Sequence, residues 1–218
     1  MAKKVCVIGA GASGLAAIKH SLEEGMQPVC FEKDDEVGGL WNYHDEPKDG
    51  DPSIYDSCSI NTSKEMTCYS DFPIPKEFPN FMAHKHFKRY LQLYADNYKL
   101  RNYIRFRHNI EKVEKSDDFE DSGTWVVTYT NLLTKISGKE IFDCVMVCNG
   151  HLHQPIKPTF TGLDNFNGKV LHTHEYKDFR GFEKKRILVV GIGNSASDVA
   201  CELSRHAEHV SIKILCAV

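Results

Sequence analysis

The tightest constraint on this chain lies near its start. Val5-Cys6-Val7-Ile8 is a buried-strand pattern that runs into Gly9-Ala10-Gly11-Ala12-Ser13-Gly14, after which Leu15, Ile18 and Leu22 recur at helical spacing until Gly25 closes the segment. A second strand, Pro28-Val29-Cys30-Phe31-Glu32, ends in an acid about 20 residues beyond the glycines. Together these form a strand, glycine turn, helix and strand. Gly9 permits the tight turn, Gly11 lets the backbone approach a pyrophosphate, and Gly14 lets helix and strand pack closely. The helix N-terminus then offers unpaired N–H groups and the positive end of its dipole to phosphate, while Glu32 can accept hydrogen bonds from ribose hydroxyls. An adenine dinucleotide is the ligand this pattern demands, and Gly9, Ala10, Gly11, Ala12, Ser13, Gly14 and Glu32 are its expected binding set.

The pattern returns once. Arg186-Ile187-Leu188-Val189-Val190 is a second buried strand, followed by Gly191-Ile192-Gly193-Asn194-Ser195-Ala196, a helix with Ala196, Val199, Ala200 and Leu203 on its apolar face, and a strand over Val210–Leu215. Ala196 replaces the last glycine with another small residue, and Asp198 is expected in the first helical turn. Gly191, Gly193, Ser195, Ala196, Ser197 and Asp198 are therefore the expected second nucleotide set. One chain with two such units implies hydride passing from a nicotinamide to a flavin, which points to an enzyme.

Between the units, residues 42–80 show no sustained period and read as ordered loops. Phe87, Tyr90, Leu91 and Tyr94 share a helical face, Ile104-Arg105-Phe106 reads as a short strand, and Trp125–Tyr129 and Phe142–Cys148 read as strands of a small sheet returning to the main one. The prolines of His151–Pro158 mark the boundary, giving domains 1–153 and 154–218.

Charge and cysteine usage exclude other classes. The net charge is −3 with both signs mixed, so no basic stripe offers itself to a nucleic acid. The eight cysteines include no C-x-x-C pair and mostly lie in apolar runs, which suits reduced core thiols and a reducing compartment. No signal-peptide h-region or membrane-length apolar run is present, so the chain as given is expected to be cytoplasmic and to have no membrane segment. The pairs His84/His86, His151/His153 and His172/His174 lack a carboxylate or cysteine at ligand spacing, and no metal site is expected.

Gly9–Gly14, Glu32, Gly38-Gly39-Leu40-Trp41, Asn61-Thr62-Ser63-Lys64-Glu65-Met66 and Ser70-Asp71-Phe72-Pro73 together resemble the flavin-containing monooxygenases. Phe166-Asn167-Gly168-Lys169-Val170-Leu171-His172-Thr173-His174-Glu175-Tyr176 fits that family's F-x-G-x-x-x-H-x-x-x-Y/F signature, and Tyr176 favours the branch acting on soft nitrogen and sulfur nucleophiles over the Baeyer–Villiger branch. The resemblance implies an α/β fold: a three-layer, FAD-binding Rossmann-type domain with an inserted NADP-binding Rossmann-type domain, here incomplete. It implies FAD and NADPH as cofactors, a flavin C4a-hydroperoxide, an amine or sulfide substrate with O2, and a place in xenobiotic metabolism. By resemblance Asn61 is the polar residue beside the flavin ring, Leu40, Trp41 and Thr62 line the flavin, and Ser195 to Asp198 hold the NADP phosphates. Full-length relatives are expected at the cytosolic face of the endoplasmic reticulum membrane, often with a C-terminal anchor.

The chain departs from the family after its second glycine motif. Where an arginine-bearing stretch is expected, it reads Ser211-Ile212-Lys213-Ile214-Leu215-Cys216-Ala217-Val218, with Lys213 as the one basic residue. It therefore reads as a C-terminally shortened form. The alternative to a monooxygenase is a non-catalytic FAD-binding form. A flavin disulfide reductase would need a redox cysteine pair that is missing.

Overall fold

A computed structural model of the protein describes residues 2–46 and 50–214. The described chain groups into two compact units, residues 1–42 with 61–151, and residues 43–60 with 152–218. The contiguous division at 153/154 thus differs from the observed grouping chiefly over residues 43–60, which belong with the second unit.

In the first unit, β1 (Lys4–Ile8), α1 (Ala12–Glu23) and β2 (Gln27–Phe31) fall where the apolar periods place them. Gly25, at φ +69°, closes α1 by donating its N–H to Leu22 O at 3.0 Å. The expected loop region contains one short helix, α2 (Lys64–Thr67). Then follow α3 (His84–Asn97), with Phe87, Tyr90, Leu91 and Tyr94 buried as their spacing predicts, and β3 (Ile104–Arg105).

β4 (His108–Lys115), the short helix α4 (Phe119–Ser122), β5 (Trp125–Asn131) and β6 (Ser137–Phe142) follow, with β4, β5 and β6 joined as an antiparallel three-stranded sheet. β7 (Cys144–Val147) completes a parallel four-stranded sheet of order β3-β2-β1-β7. The single expected strand Phe142–Cys148 is therefore two strands in two sheets. The break is Asp143, whose backbone N–H donates to Lys4 O at 2.9 Å while its carboxylate accepts from the Lys4 N–H at 2.7 Å.

Alternation along the strands sends side chains to both faces of the parallel sheet. Cys6 and Phe31 form a closed core with Val127 and Phe142 of the antiparallel sheet, backed by Ile8, Val29, Ile110, Val113, Tyr129 and Val145. Val5, Val7 and Cys30 are buried on the opposite alternation, the side on which α1 packs. The result is a three-layer, Rossmann-type α/β unit. Burial raises the Cys6 thiol to about 12 and lifts Cys30 well above its ordinary value, so these thiols remain protonated core groups.

The second unit contains β8 (Arg186–Val190), α5 (Asn194–Leu203) and β9 (His209–Lys213), a βαβ element whose two strands pair in parallel. Ala196, Val199, Ala200 and Leu203 are buried. The second strand ends at Lys213, and Leu215 lies outside the described residues.

Candidate nucleotide-binding site

The glycine turn of the first unit is built so tightly that two of its positions exclude any side chain. A Cβ on Gly14 would lie 1.8 Å from Gly9 O, and one on Gly9 would lie 2.7 Å from Cys148 O. Gly11 differs, since a Cβ there would meet only Gly39, at 3.6 Å or more. Its backbone is bare on a side that the protein leaves open, which fits close approach by a ligand. Gly11 is also the N-cap of α1, with no side-chain cap and no acid in the first turn. The first-turn N–H groups therefore keep their capacity for an anion.

Glu32 sits just beyond β2, only 7% exposed. Its carboxylate accepts from Ala10 N–H at 2.6 Å and from Asp34 N–H at 2.8 Å. Burial raises its proton affinity, and these backbone donors oppose that rise. The acid thus ties β2 to the glycine turn while keeping further acceptor positions, since a carboxylate offers about four. This bracing role has a signal in the spacing of the fingerprint, but the ribose role alone was expected from it.

The Gly38-Gly39 turn lies against the same loop, with Gly38 N–H donating to Ala10 O at 3.1 Å. It carries Leu40 and Trp41 in a single helical turn, Gly39–Trp41, and Trp41 packs edge-on against Phe87 of α3 at 4.8 Å between centroids. Asn61 and Thr62 are exposed in the same unit, and Thr62 Oγ1 lies 2.6 Å from Thr67 Oγ1. Tyr69 was not anticipated. Its hydroxyl donates to Ala12 O at 2.6 Å, at the start of α1.

The second glycine turn reproduces the first in register. Gly9 N–H donates to Phe31 O at 2.8 Å, and Gly191 N–H donates to Lys213 O at 2.9 Å. Glu32 follows Phe31, so its counterpart after Lys213 is Ile214. The second turn accordingly has an apolar residue where the first has a carboxylate. Gly193 caps α5 with no atom within 4 Å of an added Cβ, and Ser195 is exposed. Ala196 is buried under Gly191, 3.8 Å from its added Cβ. Ser197 Oγ reaches toward Ile192 O at 3.5 Å. Asp198 is the fifth residue of α5 rather than a first-turn acid, and its carboxylate accepts from the Tyr55 hydroxyl at 2.6 Å. That contact spans 143 residues of sequence and has no local signal.

The signature stretch has a structural logic within the same unit. His172 accepts from His174 N–H at 3.1 Å through Nδ1, and Glu175 accepts from His172 N–H at 2.8 Å, which together form a capping box around the turn Thr173–Glu175. Nδ1 must be unprotonated for this, and burial lowers the affinity of His172 for a proton. Tyr176, 2% exposed, donates to Glu202 of α5 at 2.6 Å. Among the described residues no group of three or more His, Cys, Asp or Glu is placed to hold a metal, and no helix is long and apolar enough to cross a membrane.

The sequence matches the flavin-binding monooxygenase-like family over residues 2–215. The chain belongs to that family. Among the chain's curated relatives, the N-oxide-forming dimethylaniline monooxygenase 2 of Cavia porcellus is 49% identical over 218 residues, 97% of this chain and 40% of its own length. Flavin-containing monooxygenase 5 of Oryctolagus cuniculus is 48% identical over 214 residues, covering 95% of this chain and 39% of its own. The chain thus spans about 40% of the length of the curated relatives it matches. Among solved structures, the S-allyl-L-cysteine S-oxygenase of Allium sativum superposes with a TM-score of 0.90 at 26% identity, over 100% of this chain and 53% of that one. Tmm from Pelagibacter gives 0.87 at 27%, over 98% and 51%.

Proposed function

We propose that the first unit binds FAD, that the second binds NADPH, and that the protein transfers one oxygen atom from O2 to a soft nitrogen or sulfur nucleophile. The observation that carries this reading is the repeated glycine turn in matching register, closed to side chains at Gly9 and Gly14 and open at Gly11. The names of the relatives, N-oxide-forming and S-oxygenase, supply the substrate class.

When bound, the flavin supplies dioxygen activation with electrons from NADPH. The protein's share is binding, orientation and exclusion of water. Gly11, Ala12, Ser13 and Gly14 present N–H groups to the FAD pyrophosphate, and Glu32 accepts from its ribose. Leu40, Trp41 and Thr62 line the flavin. Asn61 offers an amide that both donates and accepts beside the reacting centre. In the second unit Gly191, Gly193, Ser195, Ala196 and Ser197 form the phosphate turn. The pairing of Ile214 with the Glu32 position favours NADPH over NADH, because no carboxylate stands there to read a free 2′-hydroxyl or to repel a 2′-phosphate.

The test begins with FAD titration of the purified chain. NADPH is then added without air to follow loss of the oxidised flavin absorbance, and finally an amine or thioether with air, assayed for oxide. Oxide formation stoichiometric with NADPH supports the whole reading. A chain that takes up no FAD refutes it. Flavin uptake with no oxide would instead mean FAD binding without turnover.

A further inference from the structure

The hydroxyl of Tyr69 has no role in the scheme above, yet it meets the nucleotide turn directly. It donates to Ala12 O at 2.6 Å, and Ala12 is the first residue of α1. The rest of Tyr69 is already fixed by other contacts. Its backbone N–H donates to the Tyr90 hydroxyl at 2.8 Å, that hydroxyl donates to Phe72 O at 2.6 Å, and the ring packs on Tyr94 at 4.2 Å and on Tyr90 at 5.8 Å. The bond to Ala12 is thus redundant for holding the 61–72 segment against the helices.

The Ala12 carbonyl shares one peptide unit with the Ser13 N–H. A hydrogen bond donated to a carbonyl polarises its amide and makes the N–H on the other end a stronger donor. The Ser13 N–H is in the first turn of α1, where no intrahelical acceptor exists. We propose that Tyr69 is a positioning residue for the dinucleotide phosphates, strengthening and orienting the Ser13 N–H through the peptide it shares with Ala12. The inference rests on the reading of the first unit as an FAD site. Burial holds the phenol protonated, so the donor persists throughout the working pH range.

The experiment compares the full chain with Tyr69→Phe and Tyr90→Phe by calorimetric titration of FAD, ADP and adenosine. A 10–30% polarisation of one charge-assisted hydrogen bond corresponds to a loss of about 1.3- to fivefold in affinity. Tyr69→Phe is expected to lose that factor for FAD and ADP, which carry the diphosphate, and to keep its affinity for adenosine. In the ligand-free chain its Ser13 amide proton resonance moves upfield. Tyr90→Phe, which removes bonds to Tyr69 N–H and Phe72 O, is expected to lower thermal stability without changing the ratio of ADP to adenosine affinity. Wild-type affinity for ADP in Tyr69→Phe overturns the proposal, as does an equal loss for ADP and adenosine. Failure of Tyr69→Phe to fold also overturns it, since the hydroxyl would then be structural. Absence of FAD binding by the wild-type chain refutes the FAD reading itself and this inference with it.

Discussion

Substituting alanine at Gly14 and at Gly11 separates what the glycine turn does for the fold from what it does for a ligand. At Gly14 the new Cβ would stand 1.8 Å from Gly9 O and 2.9 Å from Gly9 C, both backbone atoms that no rotamer change can move. The turn must open by more than an ångström, an overpacking cost of about 3 kcal/mol or more. Alanine's helix preference returns about 1 kcal/mol of this, leaving about 2 kcal/mol or more of net destabilisation. For a chain of this size that lowers Tm by about 4–8 °C or more. At Gly11 the nearest atom is Gly39 Cα at 3.6 Å, and φ is −76°, a value alanine adopts freely. Gly11→Ala should therefore keep Tm within about 2 °C, helped by a stiffer unfolded chain. Its methyl would nevertheless obstruct a pyrophosphate, at about 1–2 kcal/mol, or about five- to thirtyfold in FAD affinity. Thermal denaturation followed by circular dichroism, together with FAD titration, reads both quantities. Equal destabilisation by the two variants, or undiminished FAD affinity in Gly11→Ala, would refute the reasoning.

Three further expectations concern electrostatics and packing. Burial alone would lift the Glu140 carboxyl, but bonds from Arg105, Lys4 and Tyr129 outweigh it and bring it down to about 2; its contribution is therefore full above about 4.5 and lost as pH falls toward 2, so Glu140→Gln should flatten the acid limb of a stability–pH curve in that window. Tyr176→Phe removes the donor to Glu202 and should cost about 1–1.5 kcal/mol in urea denaturation with no change in FAD affinity, whereas an unchanged midpoint would contradict the role assigned to that bond. His172 has its proton affinity lowered, first by burial and then by the nearby His174 and Lys157, so the stability it contributes is complete above about 6.5 and declines as pH falls below it; a His172→Ala chain should lack that decline in a series of melting curves.

Both glycine turns were legible because their signal is local. Strand, turn and helix are set by residues within a few positions, and the register of Gly9 on Phe31 and of Gly191 on Lys213 follows from that pattern. β4 was not legible. Its pairing with β5 shifts register between Ile110 and Lys112, a bulge that lets Ile110 and Val113, three residues apart, both pack into the core. A search for period two finds only charged residues between them. The run Phe142–Cys148 misled for the opposite reason, since continuous apolarity hid a change of sheet at Asp143. In the site, Glu32 was found from spacing, but its bond to Ala10 was not. Tyr69 to Ala12 and Tyr55 to Asp198 bridge 57 and 143 residues, distances over which one sequence carries no pairing signal.

The change of sheet at Asp143 also bears on the order in which the first unit assembles. β1 and β2 are close in sequence, and β4, β5 and β6 are joined by short connections, so both groups can form with little loop-closure entropy. β7 pairs with β1 across nearly the whole unit, Val5 opposite Cys144, and is tethered to β6 by a single residue. The antiparallel sheet therefore acts as a carrier: once formed, it delivers β7 to the edge of β1 and spares a long diffusive search. Trp125 lies in β5 and Trp41 beside α3, so a Trp41→Phe chain has one fluorophore reporting the carrier alone. In refolding, its signal should precede protection of the β1–β7 amides from hydrogen exchange, and simultaneous appearance of the two would remove the carrier step.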